Sequence, residues 1–111
     1  VVGYCWGGTV AWVSAARLSG LACSVPYYGG GMPGFIGEKP KCPTLCHFGE
    51  LDQSPTLEQS KAIVKAHPEI TAHFYPGAAH GFNCDQRGSY NAAASKLARE
   101  RTLEFFRQHV G

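Results

Sequence analysis

Three observations predict an α/β fold, a parallel sheet covered by helices on both faces. Short apolar runs of strand length alternate with helix-spaced patterns along all 111 residues, the order that builds βαβ units. Gly3-Tyr4-Cys5-Trp6-Gly7-Gly8 joins an apolar stub, Val1-Val2, to an alanine-rich stretch, which reads as a strand, a tight turn and a helix. Residues able to do chemistry follow the ends of successive strands, the edge at which open α/β sheets bind ligands.

The elements follow in order. Residues 7–18 read as a short helix on Val10, Val13, Ala16 and Leu18, stopped by Ser19-Gly20. Residues 21–28 are a continuous apolar run with a proline near the end, expected as a buried strand. Residues 29–41 are rich in glycine and hold Pro33 and Pro40, so they read as a loop. A second strand is expected over 43–48. Ser54-Pro55 then opens a helix, serine at the N-cap and proline in the first turn. Leu57, Ile63 and Val64 are its apolar positions, and Pro68 closes it at His67. Residues 71–75 form a third strand ended by Pro76-Gly77. A long helix over 89–109 follows, with Ala94, Leu97, Ala98 and Phe105 on one face. Leu103, Phe106 and Val110 fall on another, which predicts last turns buried twice or used in a contact.

Composition narrows the function classes. Hydrophobic residues make up 44% and charged residues 16% of the chain, the balance of a packed globular protein. The net charge is +2, with no basic run and no interleaving of basic and aromatic residues, so neither nucleic acid nor an anionic membrane is an expected partner. No apolar stretch approaches the ~20 residues that span a bilayer. The chain begins with Val and opens inside what reads as the end of a buried strand. The expectation is therefore that residues 1–111 are the C-terminal part of a single longer domain. The five cysteines are odd in number and show no disulfide spacing. Cys23, Cys42 and Cys46 lie in or beside apolar runs and are expected as reduced, buried thiols, which makes the cytoplasm the expected location.

The turn at Cys5 is the thiol form of a nucleophile elbow. A strained apex residue needs small neighbours so that strand and helix can pass closely, and the helix N-terminus favours a thiolate. Asp52 follows the 43–48 strand in Gly49-Glu50-Leu51-Asp52, and His80 follows the 71–75 strand in Gly77-Ala78-Ala79-His80. Nucleophile, acid and histidine stand in α/β-hydrolase order. Each has a plainer reading. A lone cysteine is usually structural, Asp52 could simply cap the turn at Ser54, and Glu50 is a rival acid. The agreement of type, order and strand-end placement favours the triad. His47, His67, His73 and His109 read as structural or surface residues. No metal site is expected, because Cys42 and Cys46 on one strand would stand ~13 Å apart.

With Gly3-Tyr4-Cys5-Trp6-Gly7-Gly8, the segment from His47-Phe48-Gly49 to Asp52, His80-Gly81-Phe82-Asn83, and the tail from Arg87-Gly88-Ser89-Tyr90 to Phe105-Phe106, the chain resembles the C-terminal half of the dienelactone hydrolase family. The resemblance covers essentially the whole chain. It implies the C-terminal portion of an α/β-hydrolase fold, a Cys-His-Asp triad and the namesake activity, hydrolysis of carboxymethylenebutenolide to maleylacetate. Cys5 would attack the ester or lactone carbonyl, His80 would move the proton, and Asp52 would orient His80. The Trp6 N–H would supply one oxyanion donor. No cofactor is implied, and the partner is a small-molecule ester or lactone. Family members bind the substrate carboxylate with arginines, one of them four residues after the histidine. That position is Cys84 here, and Arg87 is the candidate substitute. Tyr28, with Tyr27 beside it, is a candidate for the pocket wall, with core packing as the equal alternative. Two rival readings stay open: an esterase or thioesterase of broad specificity on the same fold, and a non-catalytic packing module.

Overall fold

The computed structural model describes residues 1–84 and 91–110. Among them, four parallel strands, β1 (Val2–Tyr4), β2 (Val25–Tyr27), β3 (Leu45–Gly49) and β4 (Thr71–Tyr75), pair in chain order. The register runs Val2↔Val25, Tyr27↔His47 and Leu45↔Thr71 through Gly49↔Tyr75. Three α-helices connect or cover them: α1 (Trp6–Arg17), α2 (Leu57–Ala66) and α3 (Ala92–His109). The structure has the expected α/β architecture.

Alternation along the strands divides the core. Val25, Tyr27, Leu45 and Tyr75 face α3, where Ala94 and Ala98 complete a cluster with Tyr28, Ala78 and Phe82. Cys46 and Phe48 face the other way, against Trp12 of α1 and Ile63 of α2. Because both faces are covered, β3 is buried at every position, which explains its unbroken apolar run. Trp12 is fully buried and places its indole N–H on the Phe35 carbonyl at 3.1 Å, so the burial leaves no polar atom without a partner.

Several elements differ from expectation for identifiable reasons. Regular pairing of β2 is confined to Val25–Tyr27, not 21–28. Residues 21–23 precede the ladder, Ser24 makes only an isolated bridge to Thr44, and Tyr28 leaves the strand at φ 37°. The 29–41 loop contains a 3-10 turn, Met32–Phe35, with Met32 fully buried. Ser54 and Pro55 do not start α2. Thr56 caps it, accepting from the Gln59 N–H at 3.1 Å while the Gln59 side chain accepts from the Thr56 N–H at 2.9 Å. That reciprocal box satisfies two amides at once, whereas the Ser54 N–H is already bound to Asp52. Asn91 caps α3 through the Ala94 N–H; the expected start at Ser89 lies outside the described residues. The buried stripe of α3 is Ala94, Ala98 and Thr102, while Leu97 is exposed. Its last turns are half covered: Phe105 and Phe106 pack on the core, and Leu103 and Val110 face outward. Cys42 lies in a bend before β3 and is only partly buried, so of the three cysteines expected inside only Cys23 and Cys46 are.

Candidate active site

Cys5 stands between β1 and α1 with φ 54° and ψ −121°, a backbone state that costs a non-glycine residue about 1–3 kcal/mol. The surrounding chain holds it there. Its N–H donates to the Tyr27 carbonyl at 3.2 Å, and its own carbonyl accepts from the Gly8 N–H at 2.9 Å. A Cβ at Gly3 would lie 1.9 Å from the Gly7 carbonyl oxygen, and one at Gly8 would lie 2.3 Å from that of Tyr27. Gly3 and Gly8 are therefore needed for close passage. Gly7 is not: a Cβ there would meet open space. Cys5 packs against the cluster of Tyr28 and Phe82. Trp6 follows as the first residue of α1, where a backbone N–H has no intrahelical acceptor; its side chain is 80% exposed.

Asp52 and His80 come from neighbouring strand ends. The turn after β3 is tied to the one after β4 by Glu50 N–H to the Tyr75 carbonyl at 3.1 Å and Leu51 N–H to the Ala78 carbonyl at 2.9 Å. Gly49 makes this possible, since a Cβ there would stand 2.4 Å from the Ala78 oxygen. The two loops thereby bring Asp52 Oδ2 to 3.0 Å from His80 Nδ1. The other Asp52 oxygen accepts from the Ser54 N–H at 2.8 Å. The turn-capping role and the histidine contact are thus made by the same carboxylate. Asp52 is buried, and the His80 side chain is 30% exposed. A carboxylate only accepts, so the tautomer this contact selects carries its proton on Nδ1 and leaves the Nε2 lone pair open.

A cavity of about 340 Å³ opens at this edge, lined by Tyr4, Cys5, Tyr28, Asn83 and Cys84. Tyr28 neighbours both Cys5 and His80. Its ring meets that of His80 at 5.2 Å and 63°, and burial, then the nearby Cys5 sulfur, raise its phenol pKa. Cys84 is exposed on the rim; Arg87 lies outside the described residues. The loop that carries His80 is fastened to α3 by Ser95 Oγ donating to Asn83 Oδ1 at 2.6 Å and by the Asn91 N–H on the Phe82 carbonyl at 3.0 Å. Sequence reading assigned no role to Tyr4 or Asn83; Asn83, three residues past His80 in the same motif, was the findable one. Among the described residues no three His, Cys, Asp or Glu side chains converge on a metal position, and no helix is long and apolar enough to cross a membrane.

Beneath α3 lies a network the sequence did not reveal. His47 Nδ1 meets the Tyr75 hydroxyl at 2.7 Å and its Nε2 meets Thr102 Oγ1 at 2.9 Å, which in turn meets the Tyr27 hydroxyl at 2.9 Å. Desolvation, aided by His73 and Arg101, pushes the His47 pKa down to about 3; burial pushes that of Tyr27 up to about 12.

The sequence profile of the dienelactone hydrolase family matches residues 1–110. A protein of Azospirillum brasilense that carries the provisional name carboxymethylenebutenolidase is 39% identical over 110 residues, 95% of this chain and 47% of that protein. Carboxymethylenebutenolidase 1 of Cupriavidus pinatubonensis is 36% identical over 110 residues, 94% of this chain and 46% of that protein. The chain thus spans about half the length of these curated relatives. A crystal structure from Klebsiella pneumoniae, provisionally described as a dienelactone hydrolase, superposes with a TM-score of 0.85 at 26% identity, covering 96% of this chain and 50% of that one. An esterase of Pyrococcus furiosus superposes with a TM-score of 0.75 at 14% identity, covering all of this chain and 54% of that one, a likeness of fold.

Proposed function

The chain belongs to the dienelactone hydrolase family, and from that premise we propose that it carries the triad of a carboxylic ester hydrolase, on the C-terminal half of a longer α/β-hydrolase domain. Cys5 is the nucleophile, His80 the base and Asp52 the residue that orients the base. The observation that carries the reading is the Asp52–His80 pair at 3.0 Å, at the same sheet edge as the strained Cys5 elbow.

The steps follow from the side chains. His80 Nε2 takes the Cys5 proton as sulfur adds to the carbonyl of an ester or lactone. Negative charge then develops on the carbonyl oxygen, and the Trp6 N–H, the amide after the nucleophile, is one of its donors. Collapse expels the alkoxide, which is protonated by His80, and leaves a thioester on Cys5. His80 next deprotonates a water that attacks the thioester, releasing the acid and restoring the thiol. Asp52 holds Nδ1–H throughout and stabilises the imidazolium. The substrate proposed is a small lactone of the carboxymethylenebutenolide kind, its ring opened to maleylacetate, with Arg87 as the candidate carboxylate partner. Burial of Cys23 and Cys46 accords with a reducing cytoplasm.

A second reading, a less selective esterase or thioesterase, is favoured by Cys84 on the cavity rim, where a substrate-binding arginine is expected from the family pattern. Turnover of dienelactone and of short-chain p-nitrophenyl esters by the full-length protein separates them. Faster turnover of dienelactone is expected for the first reading; equal or slower turnover selects the second. A Cys5→Ser variant that keeps full activity on either ends the proposal.

A further inference from the structure

We infer that Tyr28 is a positioning residue: its ring holds the His80 imidazole at a fixed angle, so that the orientation set by Asp52 at Nδ1 is kept. This rests on the triad reading above and moves Tyr28 from the pocket wall, where the sequence placed it, to the support of the base.

Burial decides between those roles. Tyr28 is 1% exposed, so it borders the cavity by an edge and has almost no surface to offer a substrate. What it does touch is catalytic in placement. Its ring meets His80 edge to face at 5.2 Å, Phe82 at 5.0 Å and 70°, and Tyr27 at 5.8 Å and 77°. A buried ring held by Phe82 and Tyr27 has little freedom to turn.

The base needs such a support. Asp52 restrains His80 through one contact, at Nδ1, which leaves the imidazole free to swing about that contact. Its side chain is 30% exposed, so burial alone does not stop the swing. The Tyr28 ring is a lateral stop on the same imidazole.

The backbone is arranged to keep that stop in place. Tyr28 sits at φ 37°, a left-handed state rare for an aromatic residue. Its N–H is anchored on the His47 carbonyl at 2.8 Å. An extended Tyr28 would continue β2; the observed turn instead carries the ring to the strand ends where Cys5 and His80 stand. The phenol is also kept neutral by burial and by the adjacent sulfur, so it adds no charge that would compete for the His80 proton.

The test compares Tyr28→Phe with Tyr28→Leu in the full-length protein, by ester hydrolysis and by imidazole NMR of His80. Tyr28→Phe keeps the ring and should keep kcat within about twofold. Tyr28→Leu should lower kcat about 10- to 100-fold with KM changed less than about threefold. It should also exchange-broaden the His80 ring signals. A loss carried by KM with kcat intact would make Tyr28 a substrate contact and overturn the inference, as would a leucine variant with wild-type kcat and sharp His80 signals. If the leucine variant does not fold, the wild-type spectrum decides: cross-relaxation between the Tyr28 and His80 rings with a single imidazole orientation supports it, and rotational averaging of His80 overturns it. A wild-type protein that hydrolyses no ester but holds His80 rigidly would instead fail the triad reading alone.

Discussion

Two histidines thirty-odd residues apart occupy opposite situations in one sheet. His80 is part-exposed and meets one carboxylate, at 3.0 Å. His47 is fully buried and meets only hydroxyls, those of Tyr75 and Thr102. A proton added to His80 finds a negative partner. One added to His47 finds none, and desolvation holds that imidazole neutral down to about pH 3. The same side chain is thus a carboxylate-paired imidazole at the strand ends and a neutral cross-link under α3. Partner and burial decide the chemistry, not residue type.

The comparison is broken most severely at His80. His80→Gln should lower kcat by about 10⁴-fold on any substrate the full-length protein hydrolyses, with the urea midpoint nearly unchanged because the ring is part-exposed. His47→Ala should do the reverse. It opens a cavity and removes the His47 partner of the Tyr75 and Thr102 hydroxyls, a loss of about 3–5 kcal/mol read from urea unfolding. Acid sharpens the contrast. The His47 pKa is about 3 when folded against an ordinary 6.5, so the unfolded chain takes up a proton the folded one refuses. Stability from this group is complete above pH 6.5 and is lost progressively toward pH 3, by up to roughly 4–5 kcal/mol. Unfolding free energies measured across that window should show the slope in the wild type and lack it in a His47→Gln variant. Thr102→Val is the mildest change. It removes the hydroxyl shared by Tyr27 and His47 and should cost about 1–2 kcal/mol, without altering the pH profile of catalysis.

The part of the site that was legible in the sequence was the part written locally. Gly3 and Gly8 flag the Cys5 turn because backbone passes there within a Cβ's reach, and Asp52 and His80 each follow a strand by a few residues. β4 coincides with the expected 71–75 strand, since Pro76-Gly77 ends it sharply. What was illegible depends on partners far along the chain. Thr102 lies on the buried face of α3 because of Tyr27 and His47, 75 and 55 residues away, and no helical periodicity of apolar residues includes a threonine. Ser54-Pro55 imitates a helix start, yet Asp52 had already engaged the Ser54 amide. The Thr56–Gln59 box two residues on was present in the sequence and outweighed it.

Gly49 has a consequence for how this chain tolerates change. A side chain there must part the turn after β3 from that after β4, since its first carbon would meet the Ala78 oxygen at 2.4 Å. The sheet below, paired from Leu45 to Phe48, can survive that parting. A substitution at Gly49 is therefore expected to give a chain that still folds while Asp52 and His80 no longer meet. Screens that score abundance would pass such a variant, and only a screen that scores turnover would find it.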